Sequence, residues 1–218
     1  MRWLVVLVFV LASTHVVSAD KSEALVILDR AFTSEKDPKG LEKALAELDA
    51  LIAKTAKDAV AHYARGWVLS RSGKNNNEAV AAYDRAFELD AKLADAAYNA
   101  GVVLGRNGNV KEAIVRFERA LKANPKHVDA AYNAGQSYYD SGEFANAAAR
   151  WETAAKLQAD DFQIAKKLVQ AYVALGKPDK VKKARDRVVA MWKQDAEVGK
   201  LKSYVYDQFT AGKYHVYV

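Results

Sequence analysis

The chain has 218 residues and a formal charge of +6, with 33 Lys and Arg against 27 Asp and Glu and not one cysteine. Disulfides and a thiol-linked lipid anchor are thereby excluded, so the fold must be held by packing. The positive charge is confined to one end: residues 20–161 carry 20 basic and 22 acidic side chains, residues 162–218 carry 12 and 5.

Residues 1–19 have the layout of a secretory signal peptide. A positive start (Met1-Arg2) precedes the unbroken apolar run 3–11, and the small pair Ser18-Ala19 precedes the charged Asp20-Lys21. The apolar run is shorter than the roughly 20 residues that span a bilayer. Cleavage after Ala19 is expected, and a cysteine-free exported chain suits a bacterial periplasm. For an exported protein the basic C-terminal region argues for anionic lipid, cell-wall polymer or an acidic protein, not nucleic acid.

Residues 20–58 read as a degenerate helix pair. Helical stretches at 23–32 and 41–53 bracket the segment SEKDPKG, in which Asp37 followed by Pro38 is a helix-start signal. A repeat then sets in. The heptapeptide DAAYNAG occurs at 95–101 and again at 129–135. Aligned on it, Gly66, Gly101 and Gly135 fall in register, as do Gly73, Gly108 and Gly142. Ala79, Ala113 and Ala147 follow, then Tyr83, Phe117 and Trp151, then Ala86, Ala120 and Ala154. The period is 34 apart from one extra residue in the turn GKNNNEA. Each unit predicts two helices. In the clearest, 95–106 and 111–123 flank the turn Asn107-Gly108-Asn109, and Asn124-Pro125 ends the second helix. Small Gly101 and Ala113 suit the close approach of the two helices of a pair. Phe117 and Leu104 are expected where one pair meets the next.

The pattern of glycine, alanine, aromatic and closing proline at this spacing resembles the tetratricopeptide repeat family. Three repeats match, at 59–93, 94–127 and 128–161. The departures are Ala91 and Ala159 in place of the closing proline, and Ala97 or Ala131 in place of the usual first-helix tryptophan. The implied fold is an all-α solenoid of about five helix pairs. Residues 162–198 continue the register as a degenerate repeat whose last, basic helix has the apolar stripe Val181, Ala184, Val188, Met191 and Trp192; its polar face suits a solenoid cap. Residues 199–218 alternate with period 2 around the turn TAGK and predict a short β-hairpin. Such a hairpin packs on the last helix, pairs with a partner's sheet, or belongs to a longer chain; the exposed apolar edges favour the latter two.

No catalytic, cofactor-binding or metal-binding constellation is evident. His62, His127 and His215 are isolated, no nucleophile elbow or phosphate-binding loop is present, and Asp160-Asp161 sits at a helix start. The resemblance implies a binding protein, not an enzyme, whose first helices line a concave groove for a protein or peptide segment. Carried onto this register, the groove presents Tyr63, Trp67 and Arg71, then Tyr98, Asn99, Val102 and Arg106. Tyr132, Asn133, Gln136 and Tyr139 follow, then Lys166, Lys167 and Gln170. Exposed aromatics beside amides and cations are typical contact chemistry, although packing between repeats competes for each tyrosine. One family subtype holds a free C-terminal carboxylate with paired Lys, Asn and Arg; Asn99, Asn133 and Lys167 match part of that set and Val102 departs from it. The alternative function is adhesion of the basic last helix to an anionic lipid or glycan surface.

Overall fold

The computed structural model describes residues 22–73 and 75–194, with side chains to Met191. The expected signal peptide (1–19) and hairpin (199–218) lie outside the described residues. Ten α-helices make up the rest: α1 (Glu23–Thr33), α2 (Pro38–Lys54), α3 (Ala59–Ser72), α4 (Asn76–Leu89), α5 (Ala94–Arg106), α6 (Val110–Ala123), α7 (Val128–Asp140), α8 (Phe144–Leu157), α9 (Phe162–Ala174) and α10 (Pro178–Gln194). No strand occurs among the described residues.

From the end of α2 onward, two alternating turn types punctuate the chain. Within pairs, Gly73, Gly108, Gly142 and Gly176 take positive φ, between 60° and 79°, the left-handed geometry that a side chain disfavours. The amides of Asn109, Glu143 and Lys177 then reach back to the carbonyls of Leu104, Tyr138 and Tyr172, closing a Schellman motif each time. Between pairs the chain makes a β-turn instead, with Asp58, Leu93, His127 and Asp161 donating their amides to the carbonyls of Thr55, Asp90, Asn124 and Gln158. Asp58 and Asp161 also cap the helices that follow, each accepting from two backbone amides. Asp37 caps α2, which starts at Pro38, three residues ahead of the apolar periodicity.

The second helix of each repeat lays an aromatic ring on the backbone of the first. A Cβ placed on Gly66 would lie 2.8 Å from Tyr83 Cδ1; on Gly101, 2.7 Å from Phe117 Cε1; on Gly135, 2.5 Å from Trp151 Nε1. The sequence places Phe117 at the contact between pairs, but its ring closes its own pair. The reason is steric: Gly101 leaves a recess only a ring can fill. Ala79, Ala113 and Ala147 are wholly buried beside these rings, and the Trp151 indole N–H donates to the Tyr132 carbonyl at 3.0 Å. At the C-terminal end, α10 buries Val188 against Ala165 and Val169, with Ala184 and Met191 alongside and Val181 on the main core, so these four residues of the expected stripe are packed; the side chain of Trp192 lies outside the described residues.

Gly135→Ala is expected to cost about 1–3 kcal/mol, because Trp151 has no room to retreat. Gly105→Ala meets nothing nearer than the Ala113 Cβ at 3.8 Å and is expected to be neutral or stabilising by up to about 1 kcal/mol, since alanine suits a helix better. Urea denaturation of the two variants checks the contrast.

Candidate functional site

Successive first helices approach one another closely, α1 to α3, α3 to α5 and α5 to α7, whereas successive second helices make no comparable backbone approach. The stack therefore curves with its first helices on the inside. Long ion pairs bridge the outside: Asp84 of α4 to Arg116 and Arg119 of α6 (2.8 and 3.3 Å), Glu118 of α6 to Arg150 of α8 (2.7 Å), and Glu152 of α8 to Lys180 of α10 (3.3 Å). The acids recur at 84, 118 and 152, on the same period as the glycines.

On the inner side the predicted residues separate into two groups. The first is built into the contacts between repeats. Asn99 Nδ2 donates to the Tyr63 hydroxyl at 3.1 Å, and one repeat later Asn133 Nδ2 donates to the Tyr98 hydroxyl at 3.1 Å. Both asparagines thus each bond a tyrosine of the preceding repeat. Burial pushes the Tyr63 phenol well above its usual range; burial, reinforced by Asp129, pushes Tyr98 up to about 12. Trp67 is 5% exposed, held between Phe32 (ring centroids 5.7 Å apart) and the Arg71 guanidinium (5.3 Å from the ring centroid). Tyr139 is consumed within its own repeat instead, packing on Phe144 and Trp151 of α8 at 5.1 and 5.7 Å.

The second group remains accessible. Arg71 and Arg106 are exposed, and Val102, Tyr132, Gln136, Lys166 and Gln170 are half-buried. Gln136 donates to Asp140 at 2.7 Å, a neighbour on the same helix that the sequence reading did not single out. At the third rung of the tyrosine–asparagine ladder, Lys167 stands in the asparagine's register position. Its ammonium lies 5.8 Å from the Trp151 ring centroid, where burial lowers its proton affinity. Phe32 was also missed; it stacks on Trp67 from α1 but stands 35 residues before it, one off the 34-residue period, so no repeat position marks it. Among the described residues no cluster of His, Cys, Asp and Glu could hold a metal ion, and no helix is long and apolar enough to cross a membrane.

The tetratricopeptide repeat profile matches residues 63–116, 98–163 and 132–180, overlapping spans that follow the period described above. The chain belongs to the tetratricopeptide repeat family. No curated protein sequence matches it. Among solved structures, MamA superposes with a TM-score of 0.68 at 18% identity, covering 80% of this chain and 94% of MamA. Residues 41 to the end of MamA from Desulfovibrio magneticus RS-1 give 0.62 at 20% identity, over 85% and 99% of the two chains. YrrB, described as a tetratricopeptide-repeat protein with an unusual peptide-binding site, gives 0.63 at 19% identity, over 84% and 92%. At these identities the likeness is one of fold.

Two outcomes follow from the ladder. A double-mutant cycle on Tyr98→Phe and Asn133→Ala is expected to give a coupling of about 1 kcal/mol, the net worth of one hydrogen bond. Because the folded phenols hold their protons more tightly than free ones, stability is intact below about pH 10 and falls as the pH rises from there towards 12. In an alkaline titration the phenolate absorbance of the buried tyrosines is expected to appear together with the loss of helical circular dichroism.

Proposed function

We propose that this protein is an exported scaffold that binds a protein or peptide segment along the inner face of its first helices. The observation that carries the reading is the inward curvature: α1, α3, α5 and α7 approach one another, and Arg71, Val102, Arg106, Tyr132 and Gln136 of α3, α5 and α7 remain accessible on that side, whereas the outer side is joined by ion pairs. The peptide-binding site described for YrrB supports it by likeness of fold. Membership of a family of interaction modules, with no constellation for catalysis in the sequence, favours binding over an enzymatic role. Export to a bacterial envelope rests on the layout of residues 1–19 alone. Adhesion through exposed Lys182 and Lys183 of α10 is the competing reading.

Peptides selected from a random displayed library on the purified protein test the groove. Gln136→Arg combined with Gln170→Arg places two long side chains on its floor without touching the core, and is expected to abolish their binding. Lys182→Ala with Lys183→Ala is expected to leave binding unchanged; selected peptides that ignore the groove substitutions would remove the reading. For export, the intact mass of protein recovered from its native host is expected to correspond to a chain starting at Asp20. A mass that retains residues 1–19 would refute it.

A further inference from the structure

Resting on the groove reading, we infer that the half of the groove formed by α3 and α5 selects an acidic peptide whose carboxylates recur every third residue. Arg71 and Arg106 occupy the same position in successive repeats, each in the last turn of its helix. Burial raises the proton affinity of the Tyr83 and Tyr98 hydroxyls; Arg71 and Arg106 both oppose that rise at Tyr83, and Arg106 opposes it at Tyr98. The two guanidiniums therefore recur on one row of the inner face, one repeat apart. Arg71 is 47% exposed and only reaches Glu35 at 3.9 Å, the long limit of an ion pair. Among the described residues, no carboxylate comes within ion-pair distance of Arg106, which is exposed.

Other arginines among the described residues are paired with acids. Arg65, Arg116 and Arg150 each meet one or two carboxylates on their outer faces. Arg71 and Arg106 stand apart from that pattern, on the face that the ion-pair ladder leaves open. The row changes sign in the next repeat, where Asp140 takes the position and is held by Gln136. Two adjacent cations followed by an acid give the groove a polarity, and a bound segment needs its acidic part at the α3–α5 end. Val102, one turn before Arg106 on α5 and half-buried, gives the segment an apolar contact.

Spacing sets the sequence rule. Packed helices lie roughly 8–10 Å apart, so the two guanidiniums repeat at about that distance. A polyproline II chain rises about 3.1 Å per residue with three residues per turn. Carboxylates at i and i+3 then share one face about 9 Å apart. An extended β-chain would send them to opposite faces.

The test uses a fluorescent peptide with both ends blocked, Glu-Pro-Leu repeated four times, so that no terminal carboxylate takes part. Its isomer with the four glutamates run together has the same composition and charge. Fluorescence anisotropy on the whole protein is expected to show the spaced peptide binding at least fivefold tighter than the isomer. Arg71→Glu with Arg106→Glu is expected to weaken it at least tenfold, and to transfer the preference to the Lys-Pro-Leu counterpart. Arg71→Gln with Arg106→Gln, a milder change on exposed positions, should give a smaller loss with unchanged helical circular dichroism at the assay temperature, the melting temperature falling only by what the Arg71–Trp67 contact contributes. Equal binding of the two isomers, or a loss that follows Lys182→Ala and Lys183→Ala instead, overturns the inference. If library peptides are blocked by the Gln136 and Gln170 substitutions but are indifferent to Arg71 and Arg106, the groove stands and the acidic selectivity falls.

Discussion

An aromatic ring pressed onto the backbone of a glycine holds each central helix pair together. Tyr83 on Gly66, Phe117 on Gly101 and Trp151 on Gly135 repeat one contact with three different rings. A β-carbon on any of the three glycines would overlap the ring, so the approach of the two helices is set by a missing atom. The buried alanines beside the rings follow from the same closeness. With each pair fixed so tightly, successive pairs have little freedom except in how they lean, and the lean brings the first helices together on one side.

That lean is secured differently on its two sides. Inside, hydroxyl-to-amide bonds join Tyr63 to Asn99 and Tyr98 to Asn133 over short distances. Outside, where the second helices stand further apart, long arginines reach back to acids one repeat earlier. Surface ion pairs of this kind are individually worth little. Their recurrence nevertheless matters for the groove, because cations bound outside are not available to a ligand. Arg71 and Arg106 have escaped that arrangement.

The 34-residue period made the helices, the turns and the family legible, because glycine, alanine and ring positions recur at fixed offsets that only a stacked helix pair explains. Helical spacing also identified the inner face. It could not say which of its residues the neighbouring repeat consumes: Tyr98 and Tyr132 sit in identical heptapeptides, yet only Tyr98 finds an asparagine across the interface, since residue 167 is lysine. Phe117 was placed at the wrong contact for a related reason. A helix presents its large residues to a broad arc, and a glycine on the facing helix decides where in that arc the ring goes. The acids at 84, 118 and 152 obey the period as strictly as the glycines, but charged residues on an outer face read as mere solvation.

The repeated heptapeptide has a consequence for how the chain finds its topology. Gly101 and Gly135 lie in the same seven-residue context and offer Phe117 equivalent seats, one before it in the chain and one after. The two seats are almost equally distant in sequence, so the difference in closure entropy is only about 0.1 kcal/mol. The interface itself therefore cannot tell a partner from a neighbour. The distinction is stored in the connections: a left-handed glycine at 108 folds α5 back upon α6, whereas the β-turn from Asn124 to His127 hands the chain on to a new pair. Handedness written into four single residues, at 73, 108, 142 and 176, thus sorts the eight helices from α3 to α10 into their couples.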